Sequence, residues 1–128
     1  MARVLIDTNA YAALMRGDVL VADELARHES ILFSPIVIGE LYDGFRNGSR
    51  PKENRAILER FRAKPRTVCV PITDATADWF AEIKRILRSK GKPIPTNDIW
   101  IAASCMEHGA RLLSFDEHFA EIDGLLRC

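Results

Sequence analysis

The feature that most constrains the fold is a short apolar run, Val4-Leu5-Ile6, which ends abruptly at Asp7. Three aliphatic residues in succession are typical of a buried strand in a parallel sheet. Open α/β sheets bind their ligands at the carboxyl ends of such strands. The run therefore predicts a central strand with Asp7 at the ligand-binding edge, unless Asp7 only stabilises the strand-to-helix turn. Thr8 or Asn9 is expected to cap a helix that begins near Ala10.

Segments with strand character alternate with segments at helical spacing along the rest of the chain. Further strands are predicted at 31–33, 67–70 and 112–115, with a possible edge strand at 125–126. Helices are predicted at 10–16, 20–28, 52–63 and 98–108, after Ser34-Pro35, and from Thr73 to Gly91. Strands that alternate with helices favour crossover connections, so we expect a parallel sheet covered by helices on both faces.

The apolar faces of two helices make specific predictions about the core. The helix over 52–63 is expected to direct Ile57, Leu58 and Phe61 inward. The long helix that follows Thr73 carries Trp79 and Phe80 at the same spacing, and we predict that these aromatic residues belong to the core. A surface for stacking nucleobases is the less favoured interpretation of them.

Length and composition set the broad class. The 128 residues, with 48% hydrophobic content, fit a single domain over 1–128. No apolar run reaches the roughly 18 residues of a membrane span, and Asp7 interrupts the first run too early for a signal peptide. Three cysteines without metal-ligand spacing suggest reduced thiols, and the three histidines show no zinc-site spacing either. We therefore expect a cytoplasmic protein without membrane contact.

Charge is unevenly distributed, although the formal net charge is zero. Between Arg46 and Lys92 there are 13 basic and 5 acidic residues, whereas the rest of the chain has 5 basic and 13 acidic residues. This asymmetry suggests a basic surface, built from the middle of the chain, beside an acidic site built from its ends. The alternative is a pair of amphipathic helices whose basic residues are merely solvated.

Four acids occupy comparable positions, and together they suggest a metal site. Asp7 and Asp116 follow strands, Asp98 lies in the first turn of a helix, and Glu40 lies beside an apolar stripe. Each has a structural explanation alone; for example, the helix dipole favours Asp98. Converging carboxylates would instead repel one another and raise their pKa values unless a cation neutralised them. Mg²⁺ and Mn²⁺ take such oxygen ligands.

Four segments carry a resemblance to a known family. They are Asp7-Thr8-Asn9, SPIVIGEL at 34–41, TNDIWIAA at 96–103 and LSFDEHF at 113–119. In this order and spacing they resemble the PIN-domain ribonucleases, in particular the VapC-type toxins of bacterial toxin–antitoxin pairs. The resemblance spans essentially the whole chain. It implies a three-layer α/β/α domain with a mainly parallel central sheet, and endoribonuclease activity that depends on Mg²⁺ or Mn²⁺.

The resemblance also assigns residues and partners. The family's catalytic and metal-binding acids correspond to Asp7, Glu40, Asp98 and Asp116, with Thr8, Asn9 and Ser114 as supporting polar groups. Asp7 and Asp98 are the expected direct ligands, and Glu117 could partly replace Asp116. The RNA substrate would contact basic residues of the middle region, namely Arg46, Arg50, Lys52, Arg55 and Arg60. A cognate antitoxin and a homodimer are the implied protein partners.

Three rival interpretations remain. A phosphatase of the haloacid-dehalogenase type would need a second Asp two residues after Asp7, where this chain has Asn9. A response-regulator receiver would need paired acids ahead of the first strand's end, where Ala2-Arg3 stands. A catalytically silent RNA-binding or protein-binding module is the third alternative, although such a module has no use for four acids that repel one another.

Overall fold

A computed structural model describes residues 2–128, and a four-stranded parallel sheet lies at its centre. The strands are β1 (Arg3–Ile6), β2 (Ser30–Phe33), β3 (Thr67–Cys69) and β4 (Arg111–Leu113). Their order across the sheet is β3-β2-β1-β4, and every neighbouring pair is parallel. The predicted parallel α/β architecture is therefore confirmed, with each strand within two residues of its predicted bounds.

In the described part of the chain, residues 2–128, six α-helices flank this sheet, consistent with the predicted α/β/α architecture. They are α1 (Thr8–Met15), α2 (Val19–Ala26), α3 (Pro35–Arg46), α4 (Pro51–Arg62), α5 (Asp74–Lys90) and α6 (Thr96–Glu107). A short 3₁₀ helix, Glu117–Glu121, follows β4. Within residues 2–128, no helix combines the length and apolar character that a membrane crossing requires.

Strand β1 is the centre of the core, because it pairs on both sides and its apolar residues are completely buried. Leu5 lies between Leu32 of β2 and Leu112 of β4. The amide of Asp7 continues the ladder by donating to the carbonyl of Leu113 over 3.2 Å. As a result, β1 and β4 end side by side, and the residues that follow them are placed at one edge of the sheet.

The helix starts follow from local capping. Ser34 caps α3 through its side chain, which accepts from the amide of Ile36, and Pro35 occupies the first turn as predicted. The prediction that Thr8 or Asn9 caps α1 is wrong. Asp7 is the cap, and its Oδ1 accepts from the amide of Ala10 over 2.9 Å.

Two predicted core residues lie at the surface instead. In α4 the buried residue is Leu58, whereas Ile57 is 37% exposed. In α5, Phe80 stacks on Trp100 of α6 with ring centroids 4.2 Å apart. That contact centres the inner face of α5 on Phe80, so the preceding residue Trp79 lies at the margin and is 37% exposed.

The last strand is shorter than predicted, and the tail pairs differently. After Leu113 the chain turns, because the Ser114 hydroxyl accepts from the amide of Asp116 over 3.0 Å. Phe115 therefore leaves the sheet and is 54% exposed. The predicted edge strand at 125–126 is reduced to a single parallel bridge between Leu112 and Arg127.

Candidate active site

Asp7 is the most deeply buried acid of the site. It follows β1, its residue is only 4% exposed, and one oxygen is occupied by capping α1. Burial raises the pKa of this carboxyl, and the neighbouring charges of Asp116 and Asp98 raise it further. Hydrogen bonding to Ser114 and to the Ala10 amide offsets part of the rise in pKa. Asp7 is thus close enough to both acids for their charges to matter.

Glu40 projects from α3 and is held by two polar side chains. The Thr8 hydroxyl donates to its Oε1 over 2.5 Å, and the Asn97 amide reaches its Oε2 over 3.4 Å. Thr8 belongs to α1 and Asn97 to α6, so three helices meet at this carboxylate. The predicted supporting role of Thr8 has a structural basis here. Asn9 is exposed, and no hydrogen bond of its side chain is recorded within residues 2–128.

Asp98 lies in the first turn of α6, as predicted, where the helix dipole favours its charge. Its Oδ2 is 2.6 Å from Nε2 of His118, which belongs to the 3₁₀ helix after β4. Burial raises the pKa of Asp98, and the charges of Asp116 and Glu40 add to that rise. The contact with His118 acts in the opposite direction and lowers the pKa.

The acids form one electrostatic cluster. Ligand atoms of Asp98, Asp116 and His118 all lie within 4.8 Å of one another. Asp7 interacts with the charges of Asp98 and Asp116, and Glu40 interacts with Asp98. The structure therefore places Asp98 and Asp116 together at the edge where β1 and β4 end, and Asp7 and Glu40 lie within electrostatic range of them.

Comparison with known proteins identifies the family to which this fold belongs. The model of the PIN domain family matches residues 4–125, which is nearly the whole chain. The chain belongs to the PIN-domain family. The expected family resemblance is thereby confirmed, and both the strand order and the acid cluster lie within the matched region.

Its relatives within the family are VapC ribonucleases. Ribonuclease VapC2 of Haemophilus influenzae is 30% identical over 118 residues, covering 89% of this chain and 86% of that protein. Ribonuclease VapC4 of Mycobacterium tuberculosis is 28% identical over 119 residues, covering 88% of this chain and 92% of that protein. A crystal structure of DNA-bound VapBC from Salmonella typhimurium shares the fold, with a TM-score of 0.87 at 21% identity, covering 100% and 98% of the two chains.

The donor set of this PIN domain fits a hard divalent cation. Its carboxylate oxygens converge without an ion pair to Lys or Arg among the described residues, and His118 is the only basic partner recorded for Asp98. Mg²⁺ and Mn²⁺ prefer oxygen ligands, and a bound cation would relieve the repulsion that raises the pKa of Asp7 and Asp98. The residues present therefore suit the metal that the sequence predicts.

Glu117 does not share the position of Asp116. Its side chain is 89% exposed and lies 3.7 Å from a guanidinium nitrogen of Arg127. Asp116, in contrast, is half-buried and belongs to the cluster with Asp98. The two neighbouring acids therefore lie in different surroundings. The geometry does not support the expectation that Glu117 could partly replace Asp116.

The predicted RNA-binding residues lie at the junction of α3 and α4 and along α4 as far as its last turn. Arg46 is in the last turn of α3, Arg50 precedes α4, and Lys52, Arg55 and Arg60 lie on α4; all five are exposed. Arg55 stacks its guanidinium over Tyr42, 4.1 Å from the ring centroid, and also pairs with Glu59. The positions are compatible with a basic surface, and its use for RNA stays a prediction.

Two residues of the site escaped the sequence reasoning. His118 packs beside Phe119 with ring centroids 5.0 Å apart, and its Nε2 also contacts Asp98, which the sequence did not predict. Asn97 precedes the predicted helix over 98–108, whereas in the structure it lies in α6 and reaches Glu40. The available signal in the sequence was their proximity to predicted acids, because His118 follows Asp116 by two residues and Asn97 immediately precedes Asp98.

Proposed function

We propose that this PIN domain is a Mg²⁺- or Mn²⁺-dependent endoribonuclease and the toxin of a type II toxin–antitoxin pair. The observation that carries the proposal is the acid cluster at one edge of the sheet, in which ligand atoms of Asp98 and Asp116 lie within 4.8 Å of each other. Asp7 interacts with the charges of both, and Glu40 interacts with Asp98. Relatives over most of the chain are named ribonucleases. A cluster of carboxylates suits phosphodiester hydrolysis, because phosphate oxygens and carboxylates are joined by the same hard cations.

The acids would hold the cation, with Asp7 and Asp98 as direct ligands and Glu40 and Asp116 completing the site. When bound, Mg²⁺ or Mn²⁺ would supply acidification of the attacking water and stabilisation of charge on the scissile phosphate. Asp7 is fixed for this role because its other oxygen caps α1. Asp98 is fixed at the start of α6, whose dipole stabilises its ionised form.

The neighbouring polar groups act by orienting the acids. Thr8 and Asn97 restrain the two oxygens of Glu40, so this carboxylate is aimed without being neutralised by a basic residue. His118 restrains Asp98 through one ring nitrogen. Ser114 shapes the turn that carries Asp116 into the cluster. Mutation of a partner that orients a ligating carboxylate typically lowers metal affinity or activity by roughly 10- to 100-fold.

The substrate would lie across the acids and the basic surface at the α3–α4 junction. Glu40 and Arg46 are both on α3, six residues or roughly 9 Å apart along its axis. One helix therefore links the acid cluster to the first of the basic residues. A polyanion bound along Arg46, Lys52 and Arg60 would gain affinity from counterion release, which makes its binding dependent on salt.

An antitoxin is the proposed protein partner, and a homodimer the proposed assembly. The Salmonella structure that shares this fold is a VapBC complex. An inhibitory segment could place an Arg or Lys among the four acids, where no basic residue of the described chain other than His118 forms an ion pair. Such a segment would compete with the cation, so excess Mn²⁺ is expected to weaken inhibition. Light scattering would measure the oligomeric state.

The deciding experiment maps RNA cleavage ends on total cellular RNA. Wild-type protein is expected to cut RNA with added Mg²⁺ or Mn²⁺, to leave 5′-phosphate and 3′-hydroxyl ends, and to stop cutting when a chelator is added. Glu40→Gln is expected to lose activity, because its oxygens no longer carry charge.

A matched control comes from the same helix. Asp43 is an exposed acid of α3, three residues after Glu40, and Asp43→Asn should cut RNA at the wild-type rate. Cleavage that survives chelation and Glu40→Gln, in a preparation free of contaminating nuclease, would contradict the proposed activity. A folded wild-type protein that binds RNA but never cuts it would favour the silent binding module.

A further inference from the structure

A second cluster of ligating side chains lies outside the active site. Ligand atoms of Glu24, His28 and Cys128 all lie within 4.8 Å of one another. Glu24 lies in the last turn of α2, and His28 lies two residues beyond the end of that helix, where its amide donates to the carbonyl of Leu25 over 3.2 Å. Cys128 comes from the opposite end of the sequence, which explains why residue spacing alone gave no sign of this cluster.

The histidine is prepared for a ligand. His28 is only 6% exposed, and its Nδ1 lies 2.8 Å from the backbone carbonyl of Glu24. Nδ1 also lies 3.9 Å from Oε2 of Glu24. A carbonyl oxygen only accepts, so in the neutral ring Nδ1 carries the proton and Nε2 carries the lone pair. No hydrogen bond of Nε2 is recorded within residues 2–128. Metal-ligating histidines typically donate their other ring N–H to such a backbone carbonyl.

The other two ligands are also held in place. The tail is fixed to β4 by two hydrogen bonds, from Leu112 N to Leu126 O at 2.8 Å and from Cys128 N to Leu112 O at 3.0 Å. At the end of α2, the Arg66 guanidinium donates to the carbonyl of His28 over 2.5 Å. The cluster is therefore built between two anchored segments, and no large rearrangement is needed to bring its atoms together.

On balance, the surroundings of the Cys128 thiol oppose its ionisation. Burial and the charge of Glu24 raise the pKa of Cys128 to about 11, and Arg111 only partly opposes this. Glu24 also contacts Arg27 at 3.2 Å, a pair exposed to solvent. A bound divalent cation would instead favour the ionised thiol, because the cation binds the thiolate and the carboxylate together.

We propose that Glu24, His28 and Cys128 form a Zn²⁺ site that ties the tail to α2. One sulfur, one imidazole nitrogen and one carboxylate oxygen make a donor set that suits Zn²⁺ and is a poor match for Mg²⁺. Three protein ligands leave the fourth tetrahedral position to water. Binding converts the Cys128 thiol to a thiolate and releases its proton to solvent.

This site is separate from the acid cluster and does not rest on the proposed nuclease function. His28 precedes the amino end of β2, whereas Asp7 and Asp116 follow the carboxyl ends of β1 and β4. Neither ligand set shares a residue with the other. The expected consequence of Zn²⁺ binding is structural, since a bridge between α2 and the tail would oppose separation of the tail from β4.

Cobalt substitution tests the proposal, since Co²⁺ bound to a thiolate gives near-ultraviolet charge-transfer absorption that carboxylate sites cannot give. Wild-type protein titrated with Co²⁺ is expected to develop this absorption at one equivalent and to lose it when Zn²⁺ is added. Cys128→Ser should lose the absorption entirely, and Glu24→Gln should weaken Co²⁺ affinity by about tenfold or more.

Cys69→Ser is the matched control, because Cys69 is an exposed cysteine outside the cluster. This variant should keep the absorption, and Asp98→Asn should keep it too. Zn²⁺ should raise the melting temperature of the wild type more than that of Cys128→Ser. Absence of the absorption from folded wild type, or its persistence in Cys128→Ser, would overturn the proposal.

Discussion

Carboxylates occur in two contrasting environments in this protein. Glu59 on α4 and Glu82 on α5 are exposed and pair with Arg55 and Arg85 of their own helices. Asp7 is buried, and among the described residues it has no Lys or Arg partner but two neighbouring acids. The paired carboxylates neutralise their charge with an arginine of their own helix, whereas among the active-site acids only Asp98 has a basic partner, His118.

The difference in pKa shows what each environment does. The Arg85 hydrogen bond holds the pKa of Glu82 below its ordinary value, so ionisation there is favoured. Burial raises the pKa of Asp7 and of Asp98, so ionisation there is opposed. Acids that cost stability when charged need a cation from outside the chain. The predictions below test this contrast, starting with the largest expected effect.

The largest difference should be in catalysis. Asp7→Asn and Asp98→Asn are each expected to reduce RNA cleavage by orders of magnitude, because each removes a proposed cation ligand while preserving shape. Asn also retains the N-cap of α1, so Asp7→Asn should fold. Glu59→Gln removes a carboxylate of the paired class and should leave cleavage unchanged. Cleavage rates would be measured in a single-turnover assay. An equal loss of cleavage in all three variants would contradict the distinction between active-site acids and arginine-paired carboxylates.

The positioning of Glu40 should matter less than the acid itself. Thr8→Val removes the hydroxyl that donates to Oε1, and we expect roughly a 10- to 100-fold loss of activity. Thr8→Ser restores a hydroxyl and should recover most of the loss. The Mg²⁺ concentration that gives half-maximal cleavage should rise in Thr8→Val. Failure of Thr8→Ser to rescue, in a variant that melts like the wild type, would argue against this role.

A smaller effect is expected at the basic surface. Arg60→Ala should weaken RNA binding several-fold and reduce the slope of log affinity against log salt by about 1, because one phosphate contact is lost. Metal binding should not change. Arg16→Ala, an exposed arginine beside α1, is the control. An identical salt slope for Arg60→Ala and the wild type would place the RNA elsewhere.

In the metal-free protein, Asp7→Asn should stabilise the fold, whereas substitution of a buried residue usually destabilises it. The folded-state pKa of Asp7 is raised above its ordinary value of 3.8, so its contribution to stability is present below that pH. The contribution is lost as pH rises through the folded-state value. Asp7→Asn should therefore raise the melting temperature of metal-free protein by a few degrees at neutral pH.

The pH dependence distinguishes this mechanism from simple repacking. Because the neutral carboxyl of the wild type resembles the amide, the advantage of Asp7→Asn should vanish as pH falls below 3.8. Thermal melts with chelator across this range would measure it. An advantage that is constant with pH, or a variant less stable at neutral pH, would contradict the assigned cause of the pKa shift.

The smallest effect belongs to the paired class. Glu59→Gln breaks an exposed contact with Arg55 of 3.3 Å between residues four apart. Such pairs contribute about 0.3–0.5 kcal/mol, and salt screens them. Urea unfolding should therefore show a change of that size or less. A loss above about 1 kcal/mol would mean that surface pairs of α4 contribute more than this contrast assumes.

The sequence predicted those features that follow from periodicity and chain direction. Asp7 and Asp116 were predicted to lie at one edge because parallel strands end at a common edge of the sheet. Asp98 was predicted from the start of a helix. The contact between His118 and Asp98 could not be predicted, since it depends on how the 3₁₀ helix after β4 packs. The exposure of Ile57 and Trp79 also depended on helix packing, because each lies at the margin of an apolar stripe whose centre is fixed by tertiary contacts.

The measurement that most directly tests the central claim is Mn²⁺ binding by calorimetric titration of three proteins. The account predicts that wild type and Glu59→Gln bind Mn²⁺ equally well, and that Asp98→Asn binds it at least about tenfold more weakly. Mn²⁺ is the right probe because it takes oxygen ligands. Unchanged Mn²⁺ affinity in folded Asp98→Asn would mean that the four acids are not a cation site.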